Sequence, residues 1–216
     1  MDTAARARIK ALIGDCSRLH VGCGFNFVKG WVNVGLFEDS FLPYGEIAER
    51  HGLVFHLDVT KDFPFEDGSL SAIYASHFIE HFPFEEGLAM VRRFQSALKP
   101  GGVLRLTFPD LELWIRKYAE NDAAFFSRYR KFFLSDPPTP LQTKGEIFMA
   151  MAHGWGHQWA YDYESMAHLL RLAGFEAALR MARNESAIPD IARVESSWEG
   201  RTMETCYVEA VKQRTE

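Results

Sequence analysis

Leu19-His20-Val21-Gly22-Cys23-Gly24, followed by Gly30-Trp31-Val32-Asn33-Val34-Gly35, is the stretch on which the fold turns. The first run reads as a strand that breaks into a glycine turn, where backbone approaches a ligand with no side chain in the way. The second reads as the next strand, Trp31–Leu36. Strand, Gly-x-Gly turn and second strand form the entrance to a nucleotide-type site at the edge of an open α/β sheet. That second strand reaches Gly35, where such a site ordinarily carries an acidic residue for ribose hydroxyls.

A Gly-x-Gly turn alone is a weak signal, so its surroundings decide. Further strands are expected at Ser17–Val21, Leu53–Leu57, Ala72–Ala75 and Val103–Phe108, each a short apolar, β-branched or aromatic run bounded by turn formers. Helices are expected at Thr3–Ile13, Tyr44–His51 and Phe84–Leu98. In the last, Leu88, Val91, Phe94 and Leu98 recur at the spacing of one buried face, and Lys99-Pro100-Gly101-Gly102 ends it sharply. Strands alternating with helices imply a mostly parallel sheet.

After Phe108 the pattern turns helical, at Asp110–Tyr118, Ala123–Leu134 and Glu146–Ala152, broken by Asp136-Pro137-Pro138-Thr139-Pro140. This is more than one crossover needs, and part of it reads as an inserted cap. Asp162–Leu172 is a further helix, capped by Asp162 and closed by Gly174. Phe175–Met181 and Thr205–Lys212 read as the final strands, with a polar connection at Asn184–Arg201.

Composition narrows the function classes. At 216 residues, with 47% hydrophobic and 25% charged residues, the chain suits one α/β domain. Through Asp110 it carries 11 basic and 14 acidic residues, and after it 13 and 15, so the net charge of −5 hides no basic half. That argues against a nucleic-acid partner. No apolar run reaches the length of a membrane span, and the polar, Arg-rich start is no signal peptide. Cys16, Cys23 and Cys206 have no metal-like spacing and form no even disulfide framework. A reduced, cytoplasmic protein is the expectation; its oligomeric state is left open.

The remaining motifs fall in a telling order. Phe55-His56-Leu57-Asp58-Val59 ends the third strand, and Phe63-Pro64-Phe65-Glu66-Asp67-Gly68-Ser69-Leu70 follows as a loop. Then come Ala72-Ile73-Tyr74-Ala75-Ser76-His77-Phe78-Ile79-Glu80-His81, Leu98-Lys99-Pro100-Gly101-Gly102 and, downstream, His157-Gln158-Trp159-Ala160-Tyr161-Asp162 and Leu170–Phe175. Together with the opening glycine turn they resemble the class I S-adenosylmethionine-dependent methyltransferases, in the small bacterial branch related to the methyltransferase type 11 family. The resemblance runs from Arg18 to Leu111 and resumes at His157.

It implies a Rossmann-like three-layer α/β sandwich: a seven-stranded, mostly parallel sheet with an antiparallel last strand. Residues 1–216 would be a single domain, with a helical cap within about 111–160. It also implies S-adenosyl-L-methionine as cofactor, held by Gly22, Cys23, Gly24, Phe37, Asp58, Val59, Ser76 and His77. Gly22 and Gly24 would admit the methionine part. Asp58 would accept from the adenine amino group, with the Val59 amide facing the ring; a turn cap is the competing role for Asp58. The function implied is methyl transfer to a small-molecule acceptor by direct displacement. The alternatives are an inactive methyltransferase-like binding protein and an enzyme that uses the cofactor without methylating.

The departures from the family pattern are Gly35 in place of the ribose acid, with Glu38 and Asp39 just beyond, and His20 in place of an acid at the head of the glycine motif. Only Phe25–Gly30 separates the turn from the next strand, too few residues for a crossover helix. Displacement needs a base only where the acceptor has a proton to lose, and His77 and His157 are the catalytic candidates, with His153 behind them. His157 lies among Trp155, Trp159, Tyr161 and Tyr163, a possible wall for the acceptor. Phe25, Phe27, Phe37, Phe41 and Tyr44 flank the site in loops. Arg128-Tyr129-Arg130-Lys131 would meet an anionic acceptor or simply face solvent.

His77-Phe78-Ile79-Glu80-His81 is also a literal H-x-x-E-H string, the zinc-hydrolase pattern. It follows a buried strand and the sequence shows no partner for a third ligand, so no metal is expected.

Overall fold

The structure is a computed structural model that describes residues 11, 15–37, 52–135 and 139–214. The expected helices at Thr3–Ile13 and Tyr44–His51, together with Glu38, Asp39, Phe41, Tyr44 and most of the Asp136–Pro140 turn, lie outside the described residues.

Seven strands form one sheet: β1 (Arg18–Val21), β2 (Val32–Gly35), β3 (Leu53–His56), β4 (Leu70–Ser76), β5 (Leu98–Pro109), β6 (Leu179–Met181) and β7 (Thr205–Val211). Their order across the sheet is β3-β2-β1-β4-β5-β7-β6. The first five pair in parallel, and β7 runs antiparallel to both neighbours. The central strands are buried almost without a break, as a sheet covered on both faces requires.

Six α-helices occur among the described residues. α1 (Phe84–Ala97) begins after Pro83 and turns Met90, Val91, Phe94 and Ala97 inward. It ends at Ala97, and β5 starts at once at Leu98, so the Lys99–Gly102 turn lies inside the strand assignment instead of before it. Gly102 has no room for a Cβ there, which would fall 2.8 Å from the Lys99 carbonyl. α1 and α5 (Tyr163–Leu172) cover one sheet face around Leu19, Val34, Ile73, Leu106 and Val208. Asp162 caps α5 by accepting from Ser165 N at 2.8 Å, and Gly174 follows the helix at φ +97°, as expected. The strand expected over Phe175–Met181 is confined to Leu179–Met181. Phe175 is buried against the helix end, its N–H donating to Leu170 O, and Ala178 O accepts from Tyr163 Oη.

The other face is covered by the connection before β7, whose Ile188, Ile191 and Val194 pack on Trp31, Tyr74 and Val103. Beneath it lies Arg105, fully buried on β5 and paired with Glu195 at 2.6 Å and Glu209 at 3.1 Å.

Between β5 and α5 the chain forms α2 (Leu111–Ala119), α3 (Ala123–Phe133) and α4 (Lys144–His153), close to the expected bounds. These helices have a core of their own, in which Trp114 is wholly buried against Phe125, Phe126 and Tyr129. Truncating such a tryptophan to Ala costs about 3–5 kcal/mol. α6 (Glu199–Thr202) is a single turn that brings Trp198 and Arg201 up to the same helices before β7 begins.

Candidate functional site

The parallel strands deliver their carboxyl ends to one edge, and the candidate cofactor residues lie along it. Gly22 and Gly24 both have positive φ, +62° and +51°, which side-chain-bearing residues adopt only with strain. Gly24 has open space where a Cβ would be. At Gly22 that space belongs to the Phe78 ring, whose Cδ2 would be only 2.5 Å from a Cβ. Cys23 between them is buried, its N–H donating to Val34 O at 3.1 Å, and burial pushes its thiol up to about 12. His20, at the head of the motif, does not face the ligand edge. It is buried with Nδ1 3.3 Å from Asn33 Oδ1, and burial lowers its pKa to about 4.

Asn33, part of the opening motif, has a role that the sequence does not display. Its side chain donates to the carbonyls of Val28, Trp31 and Leu53 and accepts from Val28 N, clamping the short β1–β2 loop in place of a crossover helix.

At Gly35 the Phe37 ring folds back over the backbone, its Cζ 3.1 Å from where a Cβ would be, and Phe27 meets it edge-on at 5.9 Å. The spot where an acidic ribose ligand would branch off is therefore walled by an aromatic ring. Asp58 turns toward its own loop, accepting from Thr60 N at 3.1 Å and Thr60 Oγ1 at 2.5 Å, and pairing with Lys61 at 3.0 Å. These donors hold its carboxyl below the usual range, with the Thr60 hydroxyl first. Val59 is buried in the main core.

Ser76 ends β4 and His77 follows it. Ser76 Oγ accepts from Thr107 Oγ1 at 2.8 Å, and His77 N donates to Thr107 O at 2.8 Å. The H-x-x-E-H string then leaves the strand without forming an α-helix. His77 adopts φ +47°, and Ile79–His81 makes one 3₁₀ turn. The turn buries Glu80, whose carboxylate oxygens have no hydrogen-bond partner and whose pKa burial raises to about 8.

The fold supplies the neighbour that the sequence did not reveal. Gln158 N and Trp159 N both donate to Glu80 O, at 2.8 and 3.1 Å, and Gln158 Nε2 donates to His81 O at 2.7 Å. These bonds pin the segment after α4 to the 3₁₀ turn and bring His157 to Glu80 and His81. His157 Nε2 is 3.9 Å from Glu80 Oε1, and the His81 and His157 rings meet edge-on at 4.9 Å. His77 Nδ1 approaches the same Glu80 oxygen at 3.5 Å. Burial lowers the pKa of all three histidines, and the positive charge of Arg201 adds to the effect.

His77, His81 and His157 line a cavity of about 310 Å³, together with Arg201 and Glu204. Its other wall is aromatic, formed by Tyr129, Phe132 and Phe133 of α3 with Trp155 and Trp198. Glu204 is buried, accepts from Trp114 Nε1 at 3.1 Å and is pushed up to about 8 by burial. Of the aromatic residues expected around His157, only Trp155 lines this cavity. Trp159 packs on Phe84 at the surface, Tyr161 is buried in the main core and Tyr163 bonds to Ala178 O. His153 is exposed at the end of α4. In the basic run, Arg128 pairs with Glu199, Arg130 bonds Gln142, and Tyr129 alone turns inward to the cavity.

A model of the methyltransferase domain family matches residues 44–106, less than a third of the chain but a stretch that holds Asp58, Ser76, His77 and Glu80. No curated protein sequence matches the chain significantly. Among solved structures, a SAM-dependent methyltransferase from Archaeoglobus fulgidus is similar at a TM-score of 0.53 and 14% identity, over 97% of this chain and 93% of that one. The S-adenosylmethionine-dependent methyltransferase SibL, in its apo form, is similar at 0.52 and 17%, over 91% of this chain; the chain spans 50% of its length. A Thermotoga maritima SAM-dependent methyltransferase, described as a possible histamine N-methyltransferase, gives 0.50 and 17% over 96% and 87%. No helix among the described residues is long and apolar enough to cross a membrane. The strand order and the antiparallel β7 give the chain the fold of these S-adenosylmethionine-dependent methyltransferase structures, and residues 44–106 are similar to the methyltransferase domain family.

Proposed function

We propose that this chain transfers a methyl group from S-adenosyl-L-methionine to a small molecule held in the cavity beneath α3. The observation that carries the reading is the meeting of two features at His77. This residue directly follows β4 on the edge that bears Gly24, and it also lines the cavity of about 310 Å³. That volume lies at the small end of the range for small-molecule sites and has the expected aromatic wall with a few polar groups.

The residues along the edge fit the cofactor in its main parts. Gly24 leaves its backbone open, and Phe37 offers a ring face beside Gly35. Gly22, Cys23, Gly24, Phe37, Asp58, Val59, Ser76 and His77 would hold it. When bound, the cofactor supplies an electrophilic methyl group. His77 and His157 would orient the acceptor, or take its proton where it has one to lose. The aromatic wall would exclude water, with α2–α4 as the cap of a single domain.

A thermal-shift titration with S-adenosylmethionine tests the reading. The wild type should be stabilised, and Asp58→Ala should need about tenfold or more ligand for the same shift, the worth of a charge-assisted hydrogen bond. No shift in either protein would contradict it. Mass analysis of the products separates methyl transfer from other use of the cofactor. A second reading, a methyltransferase-like binding protein without turnover, is favoured by the Phe37 ring over Gly35. It predicts cofactor or acceptor binding with no methylated product.

A further inference from the structure

We propose that Glu80, His81 and His157 hold one divalent transition-metal ion of the zinc class, with an open coordination position facing the cavity. A ligand atom from each of the three lies within 4.8 Å of the others. Metal–ligand distances of about 2.0–2.2 Å put neighbouring donors of a tetrahedral shell roughly 3.4 Å apart. Side-chain rotations that close the gaps by up to about 1.4 Å would therefore complete the shell.

The hydrogen-bond pattern points to a cation. His157 Nδ1 is 2.6 Å from Met151 O, an atom that only accepts, so Nδ1 carries the proton and Nε2 presents a lone pair toward Glu80. Thr205 Oγ1 donates its one hydrogen to Arg201 O at 2.5 Å, so at 2.8 Å it accepts from His77 Nε2. His77 Nδ1 is then a second lone pair turned on Glu80 Oε1, at 3.5 Å. Both Glu80 oxygens are buried and accept from no donor. With Glu80 ionised, Glu80 Oε1, His157 Nε2 and His77 Nδ1 converge with no hydrogen between them, an arrangement complementary to positive charge, and His81 joins Glu80 and His157 by its position. A ligating histidine whose other nitrogen donates to a backbone carbonyl is the usual outer support of a metal site, and Met151 O provides it here.

The donor set selects the metal class. Two imidazole nitrogens and one carboxylate oxygen suit zinc or cobalt, whereas calcium and magnesium prefer oxygen alone. Three protein ligands leave a fourth position, as in sites where a metal acts on a bound oxygen or nitrogen atom. Because His81 and His157 also line the cavity, that position faces the acceptor. The metal site stands on these contacts alone and not on the cofactor reading.

The test uses the full chain, stripped with a chelator and titrated with Co²⁺ in the absence of cofactor. One equivalent should bind with the intense visible absorption of a tetrahedral site, and Zn²⁺ should displace it. Glu80→Gln, His81→Ala and His157→Ala should each weaken binding tenfold or more, while His168→Ala, an exposed residue of α5, should not. Absence of one-equivalent binding would overturn the proposal and leave a proton on Glu80 as the compensating charge. Unchanged affinity in all three variants would also overturn it. Should the variants fail to fold, X-ray absorption on the wild-type cobalt complex decides: two imidazoles and an oxygen support the site, and oxygen ligands alone refute it.

Discussion

The Phe37 ring lies across Gly35, 3.1 Å from the point where a side chain would begin, and so replaces a carboxylate with an aromatic face at the end of β2. Gly35 has no positive φ, so an acidic residue there meets only the Phe37 ring and not a backbone penalty. Gly35→Asp combined with Phe37→Ala should tighten S-adenosylhomocysteine by about tenfold to a hundredfold, the worth of a charge-assisted hydrogen bond. Calorimetry on the double variant measures it; unchanged or weaker binding would place the ribose elsewhere.

Gly22 and Gly24 share a backbone conformation but not surroundings. Gly24→Ala should cost about 1 kcal/mol of stability, because only the left-handed backbone resists it. Gly22→Ala must also displace the Phe78 ring and should cost about 2–3 kcal/mol. Urea unfolding of the two variants gives the comparison, and equal losses would mean that Phe78 yields freely.

His20 makes stability depend on pH. Its folded pKa of about 4 lies below the ordinary 6.5 because burial disfavours the charged ring, an effect the hydrogen bond to Asn33 only partly opposes. Below pH 6.5 the unfolded chain binds a proton that the folded chain refuses. Stability should therefore fall by about 3 kcal/mol between pH 6.5 and pH 4, and His20 should contribute no further loss below that. His20→Gln should flatten this part of the profile. A variant that keeps the wild-type slope in urea melts across that range would assign the effect to other groups.

Arg105 is enclosed with Glu195 and Glu209, and it also donates to the carbonyls of Ala182 and Glu185. Arg105→Met leaves two buried carboxylates without their counter-ion and should cost about 3–5 kcal/mol. Adding Glu195→Gln and Glu209→Gln should return part of it. A single variant within 1 kcal/mol of wild type, roughly the worth of an exposed pair, would mean that water reaches the cluster.

The sheet was legible because its signals are local. Each strand is a short apolar run between turn formers, and the order from the glycine turn to Lys99–Gly102 runs along the chain. The helices after Phe108 were legible for the same reason, with Asp162 as a visible cap; the structure adds Asp110 and Asp122 as caps of α2 and α3. The site was less so. Asp58 and His77 could be assigned to strand ends, but the meeting of His157 with Glu80 depends on backbone bonds from Gln158 and Trp159, which no spacing displays. The Asn33 clamp and the Arg105 cluster were hidden likewise. A buried polar residue looks like a surface one until its partners, many residues away, are in place. Trp159, Tyr161 and Tyr163 show the reverse: neighbours in sequence, they face three different surroundings.

The central claim is that the edge carrying Gly24, Asp58 and His77 binds S-adenosylmethionine. The most direct measurement is calorimetric titration of the full chain with S-adenosylhomocysteine, the product that keeps every binding group except the transferred methyl. One equivalent should bind, with affinity reduced about tenfold or more in Asp58→Ala. Absence of binding at millimolar ligand by the folded wild type would contradict the account.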